Sequence, residues 1–349
     1  MQYFTNRSRM RRQCVPYITF LLIAGILSAM TLHSASAQVR LETPIVPSKS
    51  LQGNPLNDPS NRKIAVFLPP QYDNAAVLPV VYYLPGFGGS PDDAIRDADI
   101  WKNSVQNLVD AAAPVVIVVI DGRTRWSCSQ YINSPAQGKY ADYIAKDVVA
   151  FVESHYRVAH GPANRIIAGH SSGGFGALRL GYAYPKIFGH VVALAPDCDF
   201  NISQLPLVSG DDAKLYPLDK VRALTPIQSG PTYAMALAAA YSPLGKKHPG
   251  QVDWLYDAQH QFRPTVWRRW MANDPLEIVR KHHAAFKHTR NVYLDGGVHD
   301  EFHANIGAQK IANVLQGRSV RSFFYEAPGG HMDFLMDRIE RGVTWALRN

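Results

Sequence analysis

The sequence predicts an α/β protein with a mostly parallel, doubly wound sheet flanked by helices, and three observations predict it. Apolar runs of strand length recur along the 349 residues, helical patterns separate several of them, and many of the runs are apolar nearly throughout. Strands buried on both faces need no polar row, which accounts for a run such as Val115-Val116-Ile117-Val118-Val119-Ile120. Strands alternating with helices join by right-handed crossovers, and in such sheets chemistry gathers at the carboxyl ends of the strands.

The elements follow in order. Arg7, Arg9, Arg11 and Arg12 precede an apolar stretch over 18–32 and then Ala35-Ser36-Ala37. This is the pattern of a signal peptide cleaved after Ala37, and the stretch is too short to span a bilayer comfortably. Residues 38–349 then form one large domain. Strands are expected at 63–68, 77–84, 115–120, 165–168, 191–195, 291–294 and 322–326. Tyr143, Ile144, Val148, Phe151 and Val152 recur at helical spacing, and 173–184, 302–316 and 332–347 read as further helices. The stretch 201–275 breaks the rhythm with scattered Pro and Gly and with Tyr233, Tyr241, Trp254, Trp267 and Trp270. It reads as an insertion or lid over the site, or equally as helices packed into ordinary core.

Composition narrows the function. The formal net charge is +8, and the four arginines of the leader take it to +4 when they leave. A mildly basic surface without a run of like charges does not suggest a nucleic-acid binder. The expected location is secreted or periplasmic, with no stable membrane anchor. Cys128 and Cys198 remain after cleavage, and an oxidising compartment permits a disulfide between them without requiring one.

The most informative stretch is Gly169-His170-Ser171-Ser172-Gly173, set between the strand at 165–168 and the helix that follows. Strand, sharp turn and helix are what a nucleophile elbow needs, and its glycines let strand and helix pass without a side-chain clash. Ser171 is the candidate nucleophile. A serine hydroxyl reacts only when an imidazole takes its proton and a carboxylate orients that imidazole. His331, between the last strand and the last helix, is the candidate base. The acid should follow the strand at 291–294, where Asp295, Asp300 and Glu301 all stand; Asp197 and Asp199 are weaker alternatives, and position alone does not choose.

An oxyanion hole needs two backbone donors, one from the residue after the nucleophile and one from an earlier strand's loop. Ser172 supplies the first, and Phe87, in Pro85-Gly86-Phe87-Gly88-Gly89, the second, with Gly88 as the alternative. Trp126 and Tyr131 are candidates to stack on a substrate ring. His299 and His303 are four apart, but the residue after the first is Asp300 where the metalloprotease pattern needs Glu, so no metal is expected and no organic cofactor is implied.

Several segments together resemble the esterase D-like family of α/β-hydrolases, which includes S-formylglutathione hydrolases, feruloyl esterases, enterochelin esterases and mycolyltransferases. The resemblance runs from about Val46 to the C-terminus. It rests on Val66-Phe67-Leu68-Pro69-Pro70-Gln71-Tyr72, Tyr83-Leu84-Pro85-Gly86-Phe87-Gly88-Gly89, Ser134-Pro135-Ala136-Gln137-Gly138-Lys139-Tyr140, Gly169-His170-Ser171-Ser172-Gly173-Gly174 and Gly329-Gly330-His331. A Gly-x-x-Asp-x-Phe pattern falls on Gly297-Val298-His299-Asp300-Glu301-Phe302. The resemblance implies an α/β-hydrolase fold and selects Asp300 as the acid. It matches Ser171 and His331 to nucleophile and base, and Phe87 with Ser172 to the oxyanion donors. Pro85 departs from the pattern, since many relatives carry His there.

The function expected is an exported serine esterase acting on a small-molecule or polysaccharide ester through an acyl-enzyme. Acyl transfer to a sugar or other alcohol is the alternative, and a non-catalytic binding protein on the same scaffold a remoter one.

Overall fold

The computed structural model describes residues 38–74, 77–209 and 231–349. The leader over 1–37, and the part of the expected insertion between 210 and 230, lie outside them.

Eleven strands are formed among the described residues: β1 (Arg40–Glu42), β2 (Ile45–Pro47), β3 (Asn61–Leu68), β4 (Val80–Leu84), β5 (Val116–Ile120), β6 (Asn133–Ser134), β7 (Gly138–Lys139), β8 (Arg165–His170), β9 (His190–Leu194), β10 (Asn291–Gly297) and β11 (Ser322–Ala327). The main sheet runs β1-β3-β5-β4-β8-β9-β10-β11, with β2 also on β3. From β5 to β11 every pairing is parallel, while β3 is antiparallel to β1, β2 and β5. All seven expected strands are present. The short β1 and β2, and the β6–β7 ribbon, lack an apolar run that would announce them.

Both faces of the sheet are covered, as the unbroken apolar runs require: β4, β5, β9 and β10 are buried along their whole length. One face packs under the Ser172–Ala183 and Ala304–Gln316 helices and the helical stretch from Tyr140 to His155. The other packs under Ala98–Asp110 and Leu335–Arg348. Two of the expected helices begin later than their apolar pattern, because His303 and Phe334 adopt left-handed φ values of 57° and 56° and turn the chain first. No helix among the described residues is long and apolar enough to cross a membrane.

The described part of 201–275 forms helices Pro231–Tyr241, Pro264–Met271 and, at its end, Pro275–His282. Tyr241 and Trp270 are core, while Tyr233, Trp254 and Trp267 are only partly buried against it: Tyr241 packs on Trp270 at 5.6 Å and on Phe200 at 5.4 Å between ring centroids, and also on Phe175 of the Ser172–Ala183 helix. Asp274 fastens this layer to the loop after β9 by accepting the Asp199 and Phe200 amides at 2.9 Å each. The layer is therefore seated on the helix that starts at the candidate nucleophile, and Leu207 and Tyr233 extend it to the wall of the cleft.

Candidate active site

Ser171 sits where β8 ends and the Ser172–Ala183 helix begins, with φ 58° and ψ −122°. This strained conformation is held from three sides. The Ser171 amide donates to the Leu194 carbonyl at 2.9 Å, and its own carbonyl accepts the Phe175 and Asp197 amides. The glycines around it are required by close approach. A Cβ on Gly173 would lie 1.9 Å from the Leu84 carbonyl oxygen, and one on Gly169 would lie 2.3 Å from that of Gly173. Sequence reasoning expected such an approach to the sheet.

His331 lies at the carboxyl edge after β11, nearly buried, and its Nδ1 is 2.8 Å from Asp300 Oδ2. Asp300 Oδ1 accepts the Phe302 and Ala304 amides, which fixes the carboxylate. Burial raises the Asp300 pKa, but the hydrogen bond and charge of His331 and the two amides outweigh it, and the net shift is downward. The imidazole stands between two rings, His170 at 4.6 Å and Phe302 edge-on at 4.7 Å. With Nδ1 turned to Asp300, Nε2 is the nitrogen left for a serine. Ser171 and His331 line the same cleft, and no hydrogen bond joins them among the described residues. Such contacts tighten when substrate binds.

The other candidate carboxylates have different partners. Asp295, at the tip of β10, is fully buried in a two-pronged ion pair with Arg338, at 2.6 and 3.2 Å, and accepts the Ala195 amide. Asp199 pairs with Lys310 at 2.6 Å. Asp197 lines the cleft and accepts the Ser172 hydroxyl at 2.8 Å; burial raises its pKa, while the Ser172 hydroxyl and the nearby His331 and Ser171 oppose that rise. Of these four aspartates, Asp300 is the one on His331.

Sequence reasoning missed the groups that hold the backbone of His331. Its carbonyl accepts His170 Nε2 at 2.9 Å and Arg338 Nη1 at 3.0 Å, and its amide donates to Glu301 Oε2 at 3.0 Å. One signal was available: Arg338 falls on the apolar face of the last helix, with Ile339, Gly342, Val343 and Ala346, and an arginine there needs a buried partner.

His170 is a second consequence of the same packing. Burial pushes its pKa down to about 3, and the neighbouring His331 adds to the effect. The unfolded chain binds that proton near 6.5, so the neutral ring's contribution to stability is complete above that pH and is lost as pH falls toward 3. His170→Gln retains an N–H donor without the titration. Denaturant melts at pH 7 and pH 5 should show the wild type losing about 2 kcal/mol more than this variant; equal losses would contradict the assignment.

Ser172 opens its helix, where first-turn amides have no intrahelical acceptor. The Phe87 amide makes no backbone hydrogen bond among the described residues, and Gly86 lies against Ser171 and His170. Both candidate oxyanion donors thus adjoin the Ser171 side of the cleft. Trp126 and Tyr131 do not line it, which corrects their expected role in substrate stacking. Tyr131 fills the space left by Gly122 and Gly176 and donates its hydroxyl to the Pro85 carbonyl, bracing the oxyanion loop from below. Trp126 is buried with Phe175 and Phe200. Cys128 and Cys198 are buried free thiols, and burial pushes Cys128 up to about 12.

Sheet order, elbow and a histidine after the last strand define an α/β-hydrolase. Residues 58–336 match the family described as "Putative esterase", and the chain belongs to that family. Among solved structures, a ferulic acid esterase aligns with a TM-score of 0.61 at 18% identity, covering 90% of this chain and 98% of its own. An S-formylglutathione hydrolase from Agrobacterium tumefaciens aligns at 0.58 and 16%, covering 89% and 96%. The fluorophosphonate-binding serine hydrolase FphF of Staphylococcus aureus aligns at 0.57 and 16%, covering 89% and 100%. That family places the chain among the esterases, and these solved structures share its fold.

Proposed function

We propose that the protein is exported after cleavage at Ala37 and hydrolyses a carboxylic ester through Ser171, His331 and Asp300. The observation that carries this reading is the 2.8 Å bond from His331 Nδ1 to Asp300 on the cleft where the strained Ser171 turn opens. His331 Nε2 takes the Ser171 proton as Oγ attacks the ester carbonyl. The Ser172 and Phe87 amides receive the charge that develops on the carbonyl oxygen, and the protonated imidazole then hands its proton to the leaving alcohol. Water repeats the sequence on the acyl-enzyme with His331 again as base. Asp300 stays ionised throughout, in keeping with its lowered pKa, and stabilises the imidazolium.

Asp300→Asn tests this directly. An amide in place of the carboxylate removes the acceptor that fixes the tautomer of His331, and kcat on an aryl ester should fall by about 10³- to 10⁴-fold. A loss of less than tenfold in a folded variant would remove Asp300 from the reaction.

A further inference from the structure

The cleft over Ser171 is large, about 930 Å³, and its walls are mostly apolar. Its charges are nearly all of one sign. Asp93, Asp97, Asp197 and Glu301 line it, against the single guanidinium of Arg96. Arg96 is already engaged, with Nη1 on Asp93 at 2.8 Å and Nη2 on Asp97 at 3.0 Å, and that group keeps a negative balance.

The other two carboxylates lie beside the reacting groups. Asp197 is 7% exposed, directs its Oδ2 to the Ser172 hydroxyl, and its amide donates to the Ser171 carbonyl at 3.3 Å. Glu301 accepts the amide of His331. Neither forms an ion pair among the described residues. Apolar walls leave such charges poorly screened and focus their field on whatever enters. The field opposes the net +4 of the chain without its leader, so it is a property of the cleft rather than of the surface.

The geometry points to selection by charge: the cleft takes neutral and cationic esters and turns away those with a negative charge near the scissile carbonyl. The inference rests on the reading of Ser171 as nucleophile and deepens it by assigning the substrate class. Asp197 and Glu301 act on charge through space, and neither takes part in the bond changes.

Three 4-nitrophenyl esters of equal length and similar shape test it: the neutral 5,5-dimethylhexanoate, the cationic 4-(trimethylammonio)butanoate and the anionic 4-sulfobutanoate. In low salt kcat/KM should be at least as high for the cation as for the neutral ester and about tenfold lower for the sulfonate. The sulfonate's disadvantage should shrink severalfold in about 0.5 M salt, where screening shortens the reach of the exposed carboxylates. Asp197→Asn and Glu301→Gln should each raise the sulfonate-to-neutral ratio severalfold, a change of ratio that simple damage to the fold would not produce. A sulfonate ester turned over as well as the neutral one by the wild type would overturn the proposal. Hydrolysis of the neutral ester that survives Ser171→Ala would instead overturn the reading of the nucleophile.

Discussion

Ser171→Ala should leave a folded protein whose kcat on an aryl ester has fallen by about 10⁴- to 10⁶-fold, the range seen when a serine nucleophile is removed from its triad. The backbone reasons for a normal fold are specific. Ser171 adopts φ 58° while keeping a Cβ, so alanine adds no strain that serine does not already bear. The bonds that hold the turn run from its amide to Leu194 and from its carbonyl to Phe175 and Asp197, and none uses the hydroxyl. The denaturation midpoint should move little. A variant that kept a tenth of the wild-type rate would show that the hydroxyl takes no part in the reaction.

The second large effect is on stability. Asp295→Ala leaves the Arg338 guanidinium, 1% exposed, without its buried counter-ion, and breaking such a pair from one side should destabilise by about 3–5 kcal/mol in a denaturant melt. Because Arg338 also holds the carbonyl of His331, kcat should fall as well, through a displaced imidazole. Replacing both partners, as in Asp295→Leu with Arg338→Met, should recover most of the stability and little of the rate. Wild-type stability for Asp295→Ala would contradict a structural role for the pair.

These two residues also show where the sequence could be read and where it could not. Runs such as Val116–Ile120 are apolar because both faces are buried, so the parallel strands were legible one by one. The elbow was legible because Gly169 and Gly173 meet a steric need that any such turn imposes. Asp295 and Asp300 were not separable by position. Asp295 lies near the end of β10 and Asp300 in the loop just after it, and what divides them is a partner 43 residues away for one and 31 away for the other. Resemblance selected Asp300, and the hydrogen bond falls there. Trp126 and Tyr131 were misread because an aromatic side chain in a loop has the same composition whether it faces solvent or fills the hollow above two glycines. The charge of the cleft was invisible for a related reason: Asp93, Asp97, Asp197 and Glu301 are scattered over the chain and meet only in the fold.

On the proposed mechanism Ser171 is activated by its surroundings. The most direct test is to expose the mature protein to a fluorophosphonate probe beside Ser171→Ala and to locate the adduct by mass spectrometry. A single stoichiometric adduct on Ser171 is expected, slowed by Asp300→Asn and absent from the alanine variant. Labelling of another residue, or none on folded wild-type protein, would contradict it.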